Sequence, residues 1–160
     1  MIVKEVYSGL ARLANGSEYA TCELAEAVGR LFATDGEARD RFILWACNPD
    51  INAGVFVRRF CGDSMERLIG ALHAPSNLSG FERVRVALYI LKDLGAKSHP
   101  AVFLPLSAYL EWWRGHWDYA ASDLKRFDDL GGHKDVDNLA RLVRQCVECG
   151  VEPPRVLQEA

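Results

Sequence analysis

The sequence predicts an all-α protein, a single domain of about eight or nine short helices packed as stacked helical hairpins. Three observations predict this class. Apolar residues recur at helical spacing, Ser, Thr or Asp stands three residues before Glu at several predicted helix starts, and Gly or Pro separates the helices. Short connections place consecutive helices side by side, so we expect right-handed stacking of hairpins rather than an up-and-down bundle.

Three helices are predicted in the first part of the chain, over residues 2–14, 18–33 and 37–47. The apolar face of the first helix consists of Ile2, Val6, Leu10 and Leu13, and that of the second consists of Cys22, Ala25, Val28 and Phe32. Thr34 and Glu37 predict a capping box at the start of the third helix. That helix is expected to end near Asn48, because Pro49 disfavours the α conformation in the residue before it.

The segment after Pro49 fits two structures. Asp50 is predicted to cap a helix over residues 51–61, but VFVRRF at 55–60 is also compatible with a short strand. The helical surroundings offer no strand for it to pair with, so helix is favoured.

Two further capping boxes are predicted, Asp63 with Glu66 and Ser79 with Glu82. They precede helices over 65–73 and 81–94. The second of these helices has an apolar stripe that Gly95 is expected to close, formed by Val84, Ala87 or Leu88, Leu91 and Leu94.

The last part of the chain predicts a helical hairpin followed by one more helix. Pro100 or Pro105 lies in the first turn of a helix that carries Leu106, Leu110 and Trp113. Gly115 breaks this helix, and Gly131-Gly132 end the next one, which carries Trp117, Ala120, Ala121, Leu124 and Phe127. Asp135 opens the last helix, which ends at Gly150 and carries Val136, Leu139, Leu142, Val143, Cys146 and Cys149. Residues 155–160 are expected to fray.

Length and composition bound the function. The 160 residues suit one domain, and 49% hydrophobic with 26% charged residues is a globular balance. The net charge is −3 without a basic tail, which argues against nucleic acid as a partner. No apolar run is long enough to span a membrane. Lys4, Glu5 and Arg12 interrupt the N-terminal apolar pattern, so we expect no signal peptide. Without an export signal, we expect the five cysteines to be reduced thiols in a cytoplasm.

The predicted hairpin resembles one tetratricopeptide unit. Gly115, the aromatic Trp117 two residues on and Ala120 five residues on are similar to the turn of such a hairpin, where the alanine allows close helix approach. Only one such unit is present and no 34-residue period, so a repeat array is not expected.

A wider resemblance is to an uncharacterised actinobacterial and actinophage family, a domain of unknown function. WWRGHWDYAASDL and LARLVRQCVECGVEPP carry it, and ARDRFILWA earlier belongs to the same pattern. The resemblance covers residues 83–157, and His116-Trp117 departs from the smaller residues expected in the turn. It implies a helical fold and an actinobacterial or phage setting, and it implies no chemistry.

Cys146 and Cys149 form the one C-x-x-C motif. They lie at the predicted C-terminal end of a helix, where the dipole opposes a thiolate, so they are interpreted as structural core. They remain weak candidates for a zinc site, with Cys47, Cys61 and His133 as further ligands.

No catalytic residue and no cofactor is predicted. The histidines all fall at predicted helix ends or turns, namely His73, His99, His116 and His133. None belongs to a nucleophile, zincin or P-loop motif. Asp123, Asp128 and Asp129 are interpreted as a solvated helix face.

Residues 21–42 have the start of a helix-turn-helix pattern. Ala25 and Gly29 have the spacing which that turn favours. Asp35 and Gly36 fall where a recognition helix needs an apolar anchor, so a nucleic-acid binder is only an alternative.

The aromatic residues of the hairpin fall on two faces. Trp113 and Trp117 fit its internal packing. Tyr109, Trp112 and His116 form a separate stripe with Arg114 beside it, which either packs under the preceding helix or is exposed to a partner.

We therefore expect a small cytoplasmic helical protein-interaction module, in one version phage-encoded, that acts on a host protein or self-associates. Its predicted partner-binding residues are Tyr109, Trp112, Arg114 and His116. No membrane and no small molecule is implied as a partner. The alternatives are an enzyme or metal protein with an unrecognised site, and a helix-turn-helix-like nucleic-acid binder.

Overall fold

A computed structural model describes residues 1–57 and 80–153. Every regular element in these ranges is helical, which confirms the predicted all-α class, and the helix count is slightly below the eight or nine expected. The seven α-helices are α1 (Val3–Ala14), α2 (Cys22–Thr34), α3 (Gly36–Cys47), α4 (Gly80–Lys97), α5 (Pro100–Trp113), α6 (Trp117–Asp129) and α7 (Asp137–Glu148). Two 3-10 turns cover Ala53–Phe56 and Lys134–Val136.

The junction between α2 and α3 differs from the predicted capping box. Thr34 is the last residue of α2, and its hydroxyl donates to the carbonyl of Arg30 at 2.8 Å. The carboxylate of Asp35 instead accepts from the backbone N–H of Glu37 at 3.0 Å. The predicted role of Thr34 is wrong because one residue, Asp35, both ends α2 and begins α3.

The segment after α3 forms a single 3-10 turn over Ala53–Phe56 rather than the start of an α-helix. Asn52 begins the turn, since its side chain accepts from the N–H of Gly54 at 2.8 Å, so the predicted cap at Asp50 is wrong. No strand is present up to Val57. The rest of 51–61, the box at Asp63 and Glu66, the helix at 65–73 and Ser79 lie outside the described residues.

Arg83 of α4 holds this irregular segment against the C-terminal end of α3. Its guanidinium donates at 2.5–3.2 Å to the carbonyls of Trp45, Asn48, Pro49 and Ile51. It also lies over the ring of Trp45, 5.1 Å from the centroid. One side chain thereby contacts a carbonyl in the last turn of α3 and three carbonyls of the segment that follows it.

Helix α4 has the predicted buried stripe, with Ala87 rather than Leu88 at the alternative position: Val84, Ala87, Leu91 and Leu94. The helix does not end at Gly95 but continues to Lys97. Gly95 lies where α4 meets α5, since a Cβ there would be 3.6 Å from Pro100. The glycine therefore marks a close helix approach and not a helix end.

The core is aromatic where α2, α3 and α5 meet. Phe32 packs edge-on against Phe42 and Phe103, with ring centroids 5.6 and 6.0 Å apart. Trp45 and Phe56 extend this group, and edge-to-face contacts add to the burial of apolar area.

The hairpin of α5 and α6 forms as predicted. Pro100 is the first residue of α5, whereas Pro105 lies inside the helix. Gly115 has φ of 87°, a left-handed conformation that glycine adopts without strain, and it turns the chain into α6. Gly131 and Gly132 end α6 in the same way. The last helix begins at Asp137, after a 3-10 turn, and not at Asp135.

Five residues predicted on apolar helix faces are exposed: Ile2, Cys22, Ala121, Leu142 and Cys149. Three of them lie at helix ends, and Leu142 lies on the opposite side of α7 from the buried Ala140 and Val143. In the described ranges no helix is both long and apolar enough to cross a membrane.

Candidate functional site

Two of the predicted partner-binding residues are packed rather than free: Trp112 is buried beneath the C-terminal segment, and Tyr109 is half-buried beside it. Trp112 is 6% exposed, and its indole Nε1–H donates to the carbonyl of Val151 at 2.9 Å. Tyr109 packs against it with ring centroids 5.5 Å apart, and burial raises the pKa of the Tyr109 phenol. Pro153, two residues beyond Val151, is also buried. Trp112 is therefore packed and not exposed, but its hydrogen bond is to the segment after α7 and not to the preceding helix named in the packed alternative.

The other two predicted residues lie at the turn of the hairpin. Arg114 donates to both carboxylate oxygens of Glu111, at 2.9 and 3.2 Å. His116 Nδ1 lies 3.6 Å from the same carboxylate, and its ring contacts the ring of Tyr119 at 5.5 Å. Glu111 therefore contacts both Arg114 and His116 at the turn of the hairpin. Trp112, in contrast, is buried and contacts the C-terminal segment.

On another side of α5 an open cleft lies between α4, α5 and α6, which we call the α4–α6 cleft. Its volume is about 360 Å³. Apolar side chains with little exposure form its floor, among them Leu91, Phe103 and Leu104. Its polar lining consists of Lys92, Ser107, Asp123 and Arg126. This size falls at the lower end of the range for ligand sites, which is about 300–1,000 Å³.

Asp123 is held at the wall of the α4–α6 cleft by α5. The hydroxyl of Ser107 donates to its carboxylate at 2.6 Å. Burial raises the pKa of Asp123 and the nearby Glu111 charge adds to this, while the Ser107 hydrogen bond and the Arg126 charge lower it. The interpretation of Asp123 as part of a solvated face is wrong, because its side chain turns toward α5; Asp128 and Asp129 are exposed as expected.

Lys92 and Arg126 are exposed cations at the rim of the cleft. Within residues 1–57 and 80–153, neither has a carboxylate oxygen within 4.0 Å. Nearby cations on the same two helices differ, since Lys97 and Lys125 each donate to a carboxylate one turn away, at 2.8 and 2.7 Å. Two cations without an ion pair in the described residues therefore lie at the rim of the open apolar floor.

Exposed aromatic residues stand on both helices that wall the cleft. Tyr89 of α4 is 75% exposed and lies one turn before Lys92. Tyr119 of α6 is 60% exposed and lies one turn before Asp123. Val86 adds an exposed apolar side chain to the same end of α4.

The described cysteines have the environment of packed or solvated thiols, and Cys61 lies outside the described residues. Cys146 is half-buried and Cys149 exposed, both at the C-terminal end of α7. Burial raises the pKa of Cys146 and also of the fully buried Cys47, which opposes thiolate formation. Among the residues that the structure describes, no group of three or more His, Cys, Asp or Glu side chains is arranged to hold a metal ion.

Sequence reasoning missed the α4–α6 cleft because its residues belong to no motif. The one signal in the sequence was the spacing of Tyr89 and Lys92, three residues apart, which places a tyrosine and a lysine on neighbouring positions of one helix face. The resemblances to a tetratricopeptide unit and to an actinobacterial and actinophage family stay predictions from the sequence. No family model, no curated protein and no solved structure was found to match this chain.

Proposed function

We propose that the protein is a small helical protein-interaction module that docks a partner at the α4–α6 cleft. The observation that carries this proposal is an open apolar floor whose rim holds two cations without an ion pair to any described residue. Grooves between helices commonly receive an amphipathic partner segment.

The residues around the cleft have the composition of an interface. Tyrosine and arginine are enriched at interface positions that contribute most to binding, and here Tyr89, Tyr119 and Arg126 are all exposed. Tyr109 and Trp112, proposed from the sequence, do not take part in this version, because the C-terminal segment covers Trp112.

The proposal also includes the cellular setting and the kind of partner. The partner is a protein in a bacterial cytoplasm, a host protein if the chain is phage-encoded, or a second copy of the chain. The family resemblance supports the setting, and the mixed surface charge with a net charge of −3 supports a protein partner over nucleic acid.

Affinity capture from an actinobacterial lysate tests this function with surface variants that leave the core intact. Tyr89→Ala and Tyr119→Ala remove exposed rings beside the cleft. Tyr19→Ala is the matched control, since Tyr19 is 89% exposed and precedes α2. We expect one protein to be retained by wild type and by the control and to be lost with both cleft variants.

Light scattering on the same three variants tests self-association. If the partner is a second copy, the two cleft variants lower the mass of the assembly and Tyr19→Ala does not. An identical set of retained proteins and an identical mass for all variants would contradict the proposed docking surface.

A further inference from the structure

The floor of the α4–α6 cleft accepts an apolar group. Leu91, Phe103 and Leu104 turn little surface to solvent, yet they line an open space of about 360 Å³. Gly95 keeps one wall free of a side chain at the point where α4 meets α5. A volume of this size suits one or two apolar side chains and not a large cofactor.

The rim of the cleft favours an anion. Lys92 and Arg126 are both without an ion-pair partner in the described part of the chain, while Asp123 is the one carboxylate that lines the cleft. Their formal charges sum to +1 in a chain whose net charge is −3. Ser107 holds the Asp123 carboxylate toward α5, and this leaves the two cations to an incoming group.

We propose that the α4–α6 cleft binds a protein segment that presents an apolar side chain next to an aspartate or glutamate. The apolar side chain packs on Phe103 and Leu104, and the carboxylate contacts Lys92 and Arg126. This inference rests on the proposed function and specifies the chemistry of its partner.

Two-dimensional NMR of the labelled protein tests the proposal with defined probes. The probes are N-acetyl-phenylalanyl-glutamate amide and its glutamine and lysine analogues. We expect the glutamate dipeptide to shift the backbone amides of Lys92, Gly95, Ser107 and Arg126 in a saturable way, with a Kd on the order of 1–10 mM. The glutamine analogue is expected to bind about two- to fivefold more weakly and the lysine analogue more weakly still.

Charge variants give effects of opposite sign on the same titration. Lys92→Gln and Arg126→Gln each weaken binding of the glutamate dipeptide by about two- to fivefold. Asp123→Asn tightens it, because a like charge is removed while the amide oxygen still accepts from Ser107. Lys125→Gln is the matched control, since Lys125 neighbours Arg126 on α6 but pairs with Asp129, and it leaves the Kd unchanged.

The outcomes separate failure of this inference from failure of the proposed function. Equal affinities for the glutamate and glutamine dipeptides would overturn the carboxylate specificity and leave the cleft as an apolar docking site. No cleft shift with any dipeptide, together with unchanged partner capture by the Tyr89→Ala variant, would overturn both. A stronger response to oligothymidylate, or shifts that depend on protein concentration alone, would assign the cleft to nucleic acid or to a second copy and overturn the inference.

Discussion

The two sides of α5 contrast in what covers them. On one side Trp112 and Tyr109 pack together, and the backbone of Val151 accepts the indole N–H. On the other side Ser107 and Phe103 line a cleft that no other described element fills. The side with Tyr109 and Trp112 is closed, and the side where Phe103 and Ser107 lie beside charged neighbours is open.

The difference follows from the free energy of burial. A tryptophan contributes a large apolar area to the core, provided that its N–H finds an acceptor, and Val151 supplies one. Asp123 and Arg126 cannot be buried at low cost, because a charged group loses its hydration. Abundant aromatic residues in one segment therefore indicate packing first, and an open site is marked by polar groups around a small apolar floor.

The largest expected effect comes from a substitution that removes packing on the closed side of α5. Trp112→Ala is expected to lower the free energy of unfolding by about 3–5 kcal/mol, because a buried ring leaves a cavity. The exposed Tyr119→Ala is expected to change it by less than about 0.5 kcal/mol. Urea unfolding followed by circular dichroism measures both values. Similar small losses for the two variants would show that Trp112 is not buried.

A smaller effect isolates the contact with the C-terminal segment. Trp112→Phe keeps an aromatic ring but loses the donor to Val151, and we expect a loss of about 0.5–1.5 kcal/mol. Trp117→Phe is the matched control, since Trp117 is half-buried and its side chain has no hydrogen bond to any described residue. The same unfolding measurement compares the two. An equal loss in both variants would show that the hydrogen bond contributes nothing.

On the open side, Gly95→Ala is expected to raise the free energy of unfolding by up to about 1 kcal/mol. Alanine is a better helix former than glycine, and the added methyl group would lie 3.6 Å from Pro100, an ordinary contact. Gly115→Ala is expected to destabilise instead, because φ there is 87°. Thermal unfolding measures the sign of the stability change for both variants. Destabilisation by Gly95→Ala would mean that the cleft wall has no room for the added methyl group.

The smallest effect is a pH dependence at Asp123. Burial raises its pKa above the ordinary value of 3.8, so the folded protein binds a proton more readily than the unfolded chain just above pH 3.8. The contribution of Asp123 to stability therefore falls as pH rises through that window. Asp123→Asn removes this fall, with a difference below about 1 kcal/mol, whereas the exposed Asp129→Asn does not. Urea unfolding at several pH values between about 3.5 and about 6 measures this difference. The prediction is contradicted if the free energy of unfolding of both variants changes with pH as that of wild type does.

Local patterns predicted the fold well because helix periodicity and turn residues depend on near neighbours. The stripe of α4 and the turn at Gly115 are examples, and both formed as expected. Errors arose where one residue competes with its neighbour, as Asp35 replaces Thr34 at the start of α3. Sequence spacing does not show whether a glycine ends a helix, and Gly95 lies inside α4, next to Pro100 of α5, instead of ending it.

The candidate site was beyond sequence reasoning for a different reason. Ser107 and Asp123 are 16 residues apart and meet only because α5 and α6 pack as a hairpin. Whether Trp112 is buried or exposed likewise depends on its contact with Val151, which is 39 residues away in the chain. Such contacts are set by tertiary packing, which helix periodicity does not encode.

A paramagnetic relaxation experiment tests most directly that Trp112 on the closed side of α5 is shielded from solvent, with exposed rings of α4 and α6 as the reference. A neutral soluble gadolinium chelate is added to the labelled protein, and the relaxation of side-chain protons is measured in one sample. We predict strong enhancement at the rings of Tyr89 and Tyr119 and weak enhancement at the indole N–H of Trp112. Enhancement at Trp112 equal to that at Tyr89 would contradict a closed aromatic side.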